Sequence, residues 1–351
     1  MSTEGSPTAA PAAHASAADC RRRSVLAFVA TLIVLVATSL VYASVVSADV
    51  ERRPELALRD WTQIWRGGQA LARGDDPWPL VPTIDRLPWP YRDRNAYPLP
   101  ALWTARALDQ SPMRSIAFWW VFASVALAGV ALIRRNLWNG LALASWPAFG
   151  MAGLLQWSGL LLAAARFDLL MPVAACKPNL GLCILAYKPT ARRLAILLVI
   201  VGISLAVDPG WIPRWRAAAE SLHYNAPVML WQAGGPLLLL AALRWRTPEG
   251  RVLLALALVP HNLMGYEQLL LFLVCRRGRE CLLLVVTGWL AWWQVTRSTP
   301  PGFVDPAVLQ ALFPVPTILL LYLPALAIVL LQRNPDTFEL VPPVPNFSMK
   351  F

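Results

Sequence analysis

Long apolar runs separated by short basic turns fill most of the chain, and this pattern predicts membrane-spanning helices. The first run, residues 24–48, holds about 25 apolar or small residues, whereas a bilayer crossing needs about 20. It follows Arg21, Arg22 and Arg23, and no convincing cleavage site stands behind it. We therefore expect a retained first helix and not a signal peptide. Similar runs follow at about 115–133, 137–155, 157–187, 193–207, 231–243, 251–275, 281–296 and 314–332.

Two of these runs are expected to be broken, namely 157–187 and 251–275. The second contains Pro260, which has no backbone N–H to donate. The stretches 156–165 and 252–259 are each too short to span a bilayer. Interrupted helices often carry polar sites at membrane depth. The pattern as a whole predicts an all-α polytopic membrane protein with about nine to eleven transmembrane helices.

Basic residues gather in the turns, in the positive-inside pattern that orients helices in a bilayer. We expect residues 1–23, which are rich in Ala, Ser and Pro up to residue 20, to form a disordered cytoplasmic tail. Residues 24–335 then form the domain embedded in the plasma (inner) membrane, and residues 336–351 form a C-terminal tail. The basic clusters beyond the first helix are Arg134 and Arg135, Lys188 with Arg192 and Arg193, Arg244 with Arg246, and Arg276 and Arg277 with Arg279.

The longest polar stretch, residues 49–114, follows the first helix and is expected to face the outside. It contains nine of the chain's 20 acidic residues. The sequence near its start is compatible with a helix that has a mixed polar and apolar face and lies on the membrane surface. The residues that allow this helix are Asp60, Ile64, Ala70 and Leu71. The tryptophans expected at the membrane interface here are Trp61, Trp65 and Trp78. A second outside loop, about 208–230, carries Trp211, Arg214, Trp215, Arg216 and His223.

Composition agrees with a membrane protein and excludes several other classes. Hydrophobic residues make up 57% of the chain and charged residues 15%, against about a quarter in soluble domains. The net charge is +11, but no basic groove with interleaved aromatic residues is visible, so no nucleic-acid partner is expected. The five cysteines form no Cys-x-x-Cys pair and are expected to be small buried hydrophobes. No His, Cys and carboxylate cluster has zinc spacing, so neither a metal nor a cofactor is expected.

Five short motifs run through the chain in a fixed order. The first motif consists of Asp60, Trp65 and the stretch Leu71-Ala72-Arg73-Gly74-Asp75-Asp76-Pro77-Trp78. The second is Tyr97-Pro98-Leu99-Pro100-Ala101-Leu102. The next two are Gln156-Trp157-Ser158-Gly159 and, inside an apolar run, Lys177-Pro178. The last is Pro260-His261-Asn262-Leu263-Met264-Gly265-Tyr266-Glu267.

In this order, over about residues 24–335, the motifs resemble those of glycosyltransferase family 87, also described as DUF2029. These are GT-C-fold membrane enzymes similar to polyprenol-phosphate-mannose-dependent mannosyltransferases. The resemblance implies a GT-C-type helical bundle with a large outside loop after the first helix. It also implies transfer of a hexose, mannose as first choice, from a polyprenyl-phosphate donor to an outside-facing glycolipid or polysaccharide, with inversion. The chain departs from the family pattern at Leu155, before Gln156, and at Glu267, where Asp is usual.

Such a reaction needs an outside carboxylate beside the membrane to take the proton of the attacking hydroxyl, a contribution worth typically about 10² to 10⁴ in rate. Asp60 matches the family's acidic position and is the expected general base. Asp49 is the alternative base, and Asp60 could instead be an interfacial carboxylate paired with Arg59 or Arg66. The leaving phosphate needs a cation nearby. The residues expected to bind substrate are Arg66, Asp76, Tyr97, Gln156, Lys177, His261, Tyr266 and Glu267.

Several of these residues also have a purely structural explanation. Lys177 could meet the donor phosphate, but it could equally snorkel or pair with Asp168, which could itself pair with Arg166. Asp75 and Asp76 could only shape the Gly-Asp-Pro turn by accepting backbone hydrogen bonds. The residues that could serve packing alone are Tyr97, Gln156 and His261.

Two other functions fit the same features. A transporter or flippase of lipid-linked sugar would share the broken helices and the buried Lys177 and Glu267, although no two halves of the chain match in hydropathy. An inactive GT-C-like scaffold of an envelope assembly complex would keep the fold without a base. The substitution Asp60→Asn separates both from the enzyme, because only the enzyme hypothesis expects it to abolish transfer while leaving folding intact.

Overall fold

The computed structural model describes residues 17–52, 59–78, 95–108, 111–221, 229–261, 263, 265–298 and 312–332. All regular structure in these residues is helical and none of it is β-strand, which confirms the predicted all-α architecture. The α-helices are α1 (Ala17–Arg52), α2 (Arg59–Arg73), α3 (Leu99–Ala107), α4 (Met113–Ile133), α5 (Trp146–Gly153), α6 (Ser158–Ala164), α7 (Pro172–Cys176), α8 (Pro178–Tyr187), α9 (Ala191–Val207), α10 (Trp211–Ser221), α11 (Pro248–Leu258), α12 (Gly278–Arg297), α13 (Pro314–Thr317) and α14 (Leu323–Leu331). Short 3-10 helices cover Leu137–Ala144, Asp168–Leu170, Met229–Trp231, Gly235–Arg244 and Tyr266–Val274, and a π-helical turn, Ile318–Tyr322, joins α13 to α14.

Three helical stretches are long and apolar enough to cross a bilayer: Val29–Arg52, Met113–Ile133 and Pro314–Leu331. The bent pairs α5–α6 and α9–α10, with bends of 116° and 99°, raise the number to five if each pair is one crossing. These apolar helices indicate a membrane-embedded protein. The count of about nine to eleven crossings and the side on which each loop lies stay predictions.

Helix α1 packs one side against α4 and leaves its other side bare. Ile33, Val34 and Val41 are each more than 60% exposed, an apolar surface of the kind that a bilayer covers. On the packed side, Gly129 of α4 allows the close approach, because a Cβ there would lie 2.1 Å from Cδ1 of Leu35. The helix begins at Ala17 and not at residue 24, so the last residues of the predicted disordered tail are helical.

The predicted breaks in the apolar runs are present, and prolines explain them. Pro172 opens α7 and Pro178 opens α8, and Lys177 between these helices has φ −141° and ψ 76°, outside the helical region. The residue before a proline is pushed out of the helical conformation, and proline itself suits the first helical turn. In the second broken run, α11 ends at Leu258 and a 3-10 helix starts at Tyr266, so the chain is non-helical on both sides of Pro260. Both breaks place polar side chains at one cavity.

The prediction that Trp61 and Trp78 lie in a belt at the membrane interface is wrong. Trp61 and Trp78 are almost fully buried inside the protein. The Trp61 ring lies 4.4 Å from the ring of Trp120 and 6.4 Å from that of Trp157, centroid to centroid. Trp78 stacks on Trp211 of α10. Helix α2 therefore docks onto the protein through large aromatic side chains, and burial of these rings holds it in place.

Two basic residues of the predicted turns, Arg135 and Arg276, form ion pairs with one buried carboxylate. Glu249, at the start of α11, is 1% exposed and receives hydrogen bonds from Arg135, after α4, and from Arg276, before α12. Burial disfavours the charged form of Glu249, but the hydrogen bonds from Arg276 and the charge of Arg135 outweigh it and lower the pKa of Glu249. This cluster ties three helix ends together.

Candidate functional site

A cavity of about 550 Å³ lies where α2, α10, the junction between α7 and α8, and the non-helical segment after α11 meet. This volume is in the range of small-molecule sites. Its wall is largely apolar and includes three aromatic side chains, Tyr97, Trp215 and Tyr266, and a few polar side chains converge on it. The polar and aromatic residues of the lining are Gln63, Tyr97, Lys177, Asn179, Trp215, His261, Tyr266 and Glu267.

Lys177 is the charged centre of this cavity wall. Its ammonium lies 2.5 Å from Oε1 of Glu267 and donates a hydrogen bond of 2.9 Å to Oε1 of Gln156. The ammonium also lies 4.9 Å from the centroid of the Tyr266 ring, within cation–π range. Lys177 is 9% exposed and Glu267 2% exposed, so the pair is buried. Four residues from three separate sequence motifs are thus brought together.

The sequence prediction that Lys177 could pair with Asp168 is wrong, and so is the prediction that Asp168 could pair with Arg166. Asp168 accepts a hydrogen bond of 2.7 Å from Nε of Arg193, whose side chain is fully buried at the start of α9. The hydrogen bond from Arg193 lowers the pKa of Asp168, with the charges of Arg193 and Lys188 acting in the same direction. The guanidinium of Arg166 lies over the Tyr187 ring.

His261 lines the cavity, and a hydrogen bond at each of its two ring nitrogens fixes the orientation of the ring. Nδ1 lies 2.8 Å from the carbonyl oxygen of Val259, and Nε2 lies 2.7 Å from the hydroxyl of Tyr322. A carbonyl can only accept, so Nδ1 carries the proton, and in the neutral ring Nε2 accepts from the Tyr322 hydroxyl. Both nitrogens of the neutral imidazole are therefore occupied within the protein. This arrangement favours a positioning role for His261 over proton transfer at the cavity.

Asp60, the predicted base, lies in the first turn of α2, three positions before Gln63. Positions three apart share a face of a helix, and the Gln63 side chain lines the cavity. The side chains of Asp60 and Arg59 lie outside the described part of the structure, so the base role stays a prediction. The alternative base, Asp49, is exposed on α1 and is not part of the cavity lining.

Three predicted binding residues, Arg66, Asp76 and Gln156, do not line the cavity. Gln156 reaches the site only through its hydrogen bond with Lys177. Arg66 is partly buried on α2. Asp76 is exposed beyond the end of α2, and its Oδ1 accepts a hydrogen bond of 3.2 Å from the backbone N–H of Trp78, as the turn interpretation expected. Asp75 forms an exposed ion pair of 2.8 Å with Arg73 instead.

Sequence patterns did not identify three residues of the site: Gln63, Asn179 and Trp215. The sequence places Trp215 in an outside loop, and its side stays a prediction. In the structure residues 211–221 form α10, which turns by 99° from α9 and brings Trp215 and Ala219 to the cavity wall. Nε1 of Trp215 donates a hydrogen bond of 2.7 Å to the carbonyl oxygen of Ala96. The Asp208-Pro209-Gly210 sequence before α10 is a turn signal that could have indicated the bend.

Comparison of the chain with protein-family models, curated proteins and solved structures finds no match. The resemblance to glycosyltransferase family 87 thus rests on the ordered motifs alone. Within the described ranges, no group of three or more His, Cys, Asp and Glu side chains could hold a metal ion.

Proposed function

We propose that this protein is a GT-C-type membrane glycosyltransferase that moves a hexose, mannose as first choice, from a polyprenyl-phosphate donor to an outside-facing glycolipid or polysaccharide. The observation that carries the proposal is the buried Lys177 ammonium in the wall of a largely apolar cavity, beside the helix that bears Asp60. The order of the five motifs supplies the reaction class.

In the proposed reaction, the acceptor hydroxyl oxygen attacks the anomeric carbon of the donor sugar. The bond between that carbon and the phosphate oxygen breaks, and its electron pair leaves with the polyprenyl phosphate. Asp60 takes the hydroxyl proton. Attack opposite to the leaving group inverts the anomeric configuration, and no acid is needed because phosphate is a good leaving group.

Lys177 is the residue that neutralises the negative charge developing on the leaving phosphate. A lysine ammonium has three N–H donors, and the described part of the chain supplies acceptors for two of them, on Glu267 and Gln156. The third can donate to a phosphate oxygen. The carboxylate of Glu267 and the face of the Tyr266 ring hold the Lys177 ammonium in place at the cavity wall.

The test is sugar transfer by purified protein from radiolabelled polyprenyl-phosphate mannose to a glycolipid extract of the host. We expect Asp60→Asn to abolish labelled product while leaving the melting temperature unchanged. Asp75→Asn is the matched control, because Asp75 is exposed and lies outside the cavity lining. Equal activity of wild type and Asp60→Asn would refute the assignment of the base. No product with mannose or with other lipid-linked hexoses would refute the enzyme.

The pairing of Lys177 with Glu267 also favours a second candidate, a transporter or flippase of lipid-linked sugar. Buried opposite charges that can exchange partners are common along transport pathways. Reconstitution into liposomes distinguishes the two functions. Movement of a fluorescent lipid-linked sugar between leaflets without transfer to an acceptor would support transport, whereas transfer without such movement would support the enzyme.

A further inference from the structure

Gln63 is a polar residue buried at the cavity, and the described part of the chain supplies no partner for its side-chain oxygen. The residue is 5% exposed and lines the cavity. Its Oε1 is inaccessible and has no hydrogen-bond partner among the residues that the structure describes. A buried acceptor that stays unpaired destabilises the fold, and such groups need an explanation.

The position of Gln63 is fixed by its surroundings. Its backbone carbonyl accepts a hydrogen bond of 3.1 Å from Nδ2 of Asn95, and Oδ1 of Asn95 accepts one of 2.9 Å from the backbone N–H of Tyr97. The same short segment is held from the other side by Trp215, which donates to Ala96. Gln63, Tyr97 and Trp215 therefore form one connected wall of the cavity.

The chemistry of this wall matches a sugar better than a purely apolar ligand. A hexose carries hydroxyl donors around its edge and C–H groups on its faces. An amide oxygen accepts from a hydroxyl, and aromatic rings such as those of Tyr97 and Trp215 bury an apolar face. A lipid tail alone would leave the Gln63 oxygen unpaired.

We propose that the Gln63 side chain rotates when a hexose headgroup occupies this cavity, so that Oε1, which is shielded in this structure, accepts a hydrogen bond from a sugar hydroxyl. Gln63 would in this way determine which lipids bind. The inference deepens the proposed function by naming a specificity residue, and it rests on that function only in taking the ligand to be a sugar-bearing lipid. It requires binding alone and no catalysis.

The experiment measures binding by isothermal titration to protein in phosphatidylcholine nanodiscs, with empty nanodiscs as the reference. The probes are octyl mannoside and octyl glucoside, and 1-octanol is the probe without a sugar. Gln63→Leu should weaken the binding of at least one octyl hexoside about tenfold, which corresponds to about 1.4 kcal/mol, and leave octanol binding unchanged. Gln69→Leu is the control, because Gln69 lies on the same helix but not in the lining.

Stability separates this role from a structural one. Leucine removes the unpaired oxygen at similar volume, so Gln63→Leu should melt at the same temperature as wild type or higher. A lower melting temperature than that of Gln69→Leu, or failure to fold, would mean that the oxygen holds the structure and would overturn the inference. Unchanged hexoside binding by Gln63→Leu, or wild-type binding of hexosides no stronger than that of octanol, would also overturn it.

The two proposals can fail separately. Gln63-dependent hexoside binding without any transfer would uphold this inference and reject the enzyme. Transfer by wild type, with hexoside binding and the donor KM unchanged in Gln63→Leu, would uphold the enzyme and reject this inference.

Discussion

A double-mutant cycle can measure the interaction free energy between Lys177 and Glu267, which form a buried pair. At 2.5 Å and an effective dielectric constant of about 20, the attraction between two unit charges is about 7 kcal/mol. Loss of hydration opposes this attraction, so the net value of the pair is much smaller. Removing one partner is costly all the same, since it leaves the other charge buried and unpaired, typically at about 3–5 kcal/mol.

We expect Lys177→Met and Glu267→Gln each to cost about 3 kcal/mol, at the lower end of that range, because water in the adjacent cavity can partly solvate the remaining charge. The double substitution removes both charges and should cost only about 1–2 kcal/mol, since a buried ion pair replaced by neutral side chains is often nearly neutral in stability. The two single costs would then exceed the double cost by about 4 kcal/mol, far above the deviation of about 0.5 kcal/mol seen for independent sites.

The assay is reversible unfolding in mixed micelles titrated with dodecyl sulfate and followed by circular dichroism. The control cycle uses Arg216 and Glu220, an exposed pair one helical turn apart on α10 with a distance of 2.7 Å. Its coupling should be small, because solvent screens exposed charges. Additive costs at Lys177 and Glu267 would refute the reasoning, since they would mean that the two groups do not interact in the folded protein.

Three further changes test other parts of the structure. Tyr322→Phe should lower stability by about 1–3 kcal/mol in the same assay, because it leaves Nε2 of the buried His261 without its donor; no loss would contradict the assigned tautomer. Asp168 lies outside the candidate membrane spans, and the hydrogen bond from Arg193 lowers its pKa in the folded state. Its contribution to stability is therefore fully present above its unfolded pKa of about 3.9. This contribution disappears as the pH falls through the lower pKa of the folded state. Asp168→Asn should therefore destabilise at neutral pH and show a smaller fall in melting temperature than wild type as the pH drops below about 4. Parallel profiles would contradict the pairing. Gly265→Ala should destabilise by at least about 1–3 kcal/mol, since φ is +118° and a Cβ would lie 2.2 Å from Nε1 of Trp146; Gly202→Ala, in open space on α9, should be neutral or stabilising and serves as its control.

The helical elements could be predicted from the sequence because they depend on local pattern. The apolar run 115–133 corresponds to α4, 193–207 to α9 and 281–296 to α12, each within a few residues. The interruptions followed from Pro178 and Pro260, whose effects act on neighbouring residues only. Tertiary contacts leave no such signature in the local sequence. The burial of Trp61 against Trp120 and Trp157 depends on how α2 folds back onto the bundle, and an interfacial position fitted the same sequence equally well.

Part of the site was predictable for the same reason. A lysine and a glutamate within apolar runs each require a partner or a cavity, and this requirement correctly marked Lys177 and Glu267. It did not identify them as partners of each other, because they are distant in sequence and Asp168 was nearer. Gln63 and Trp215 were missed because a glutamine or a tryptophan in a polar loop is unremarkable until α2 and α10 are seen to share one cavity.

The pairing of Lys177 with Glu267 constrains what the cavity can select. Together the two side chains carry no net charge, so the site does not attract anions through a strong local field. A phosphate oxygen can still accept the remaining Lys177 N–H, but that single contact gives little affinity for free inorganic phosphate. Under the proposed function, most of the binding free energy comes from uncharged surfaces, namely the aromatic rings and the amide oxygen of Gln63. A lipid that carries both a phosphate and a sugar satisfies these groups together, whereas a simple phospholipid or a free phosphate leaves some of them unpaired.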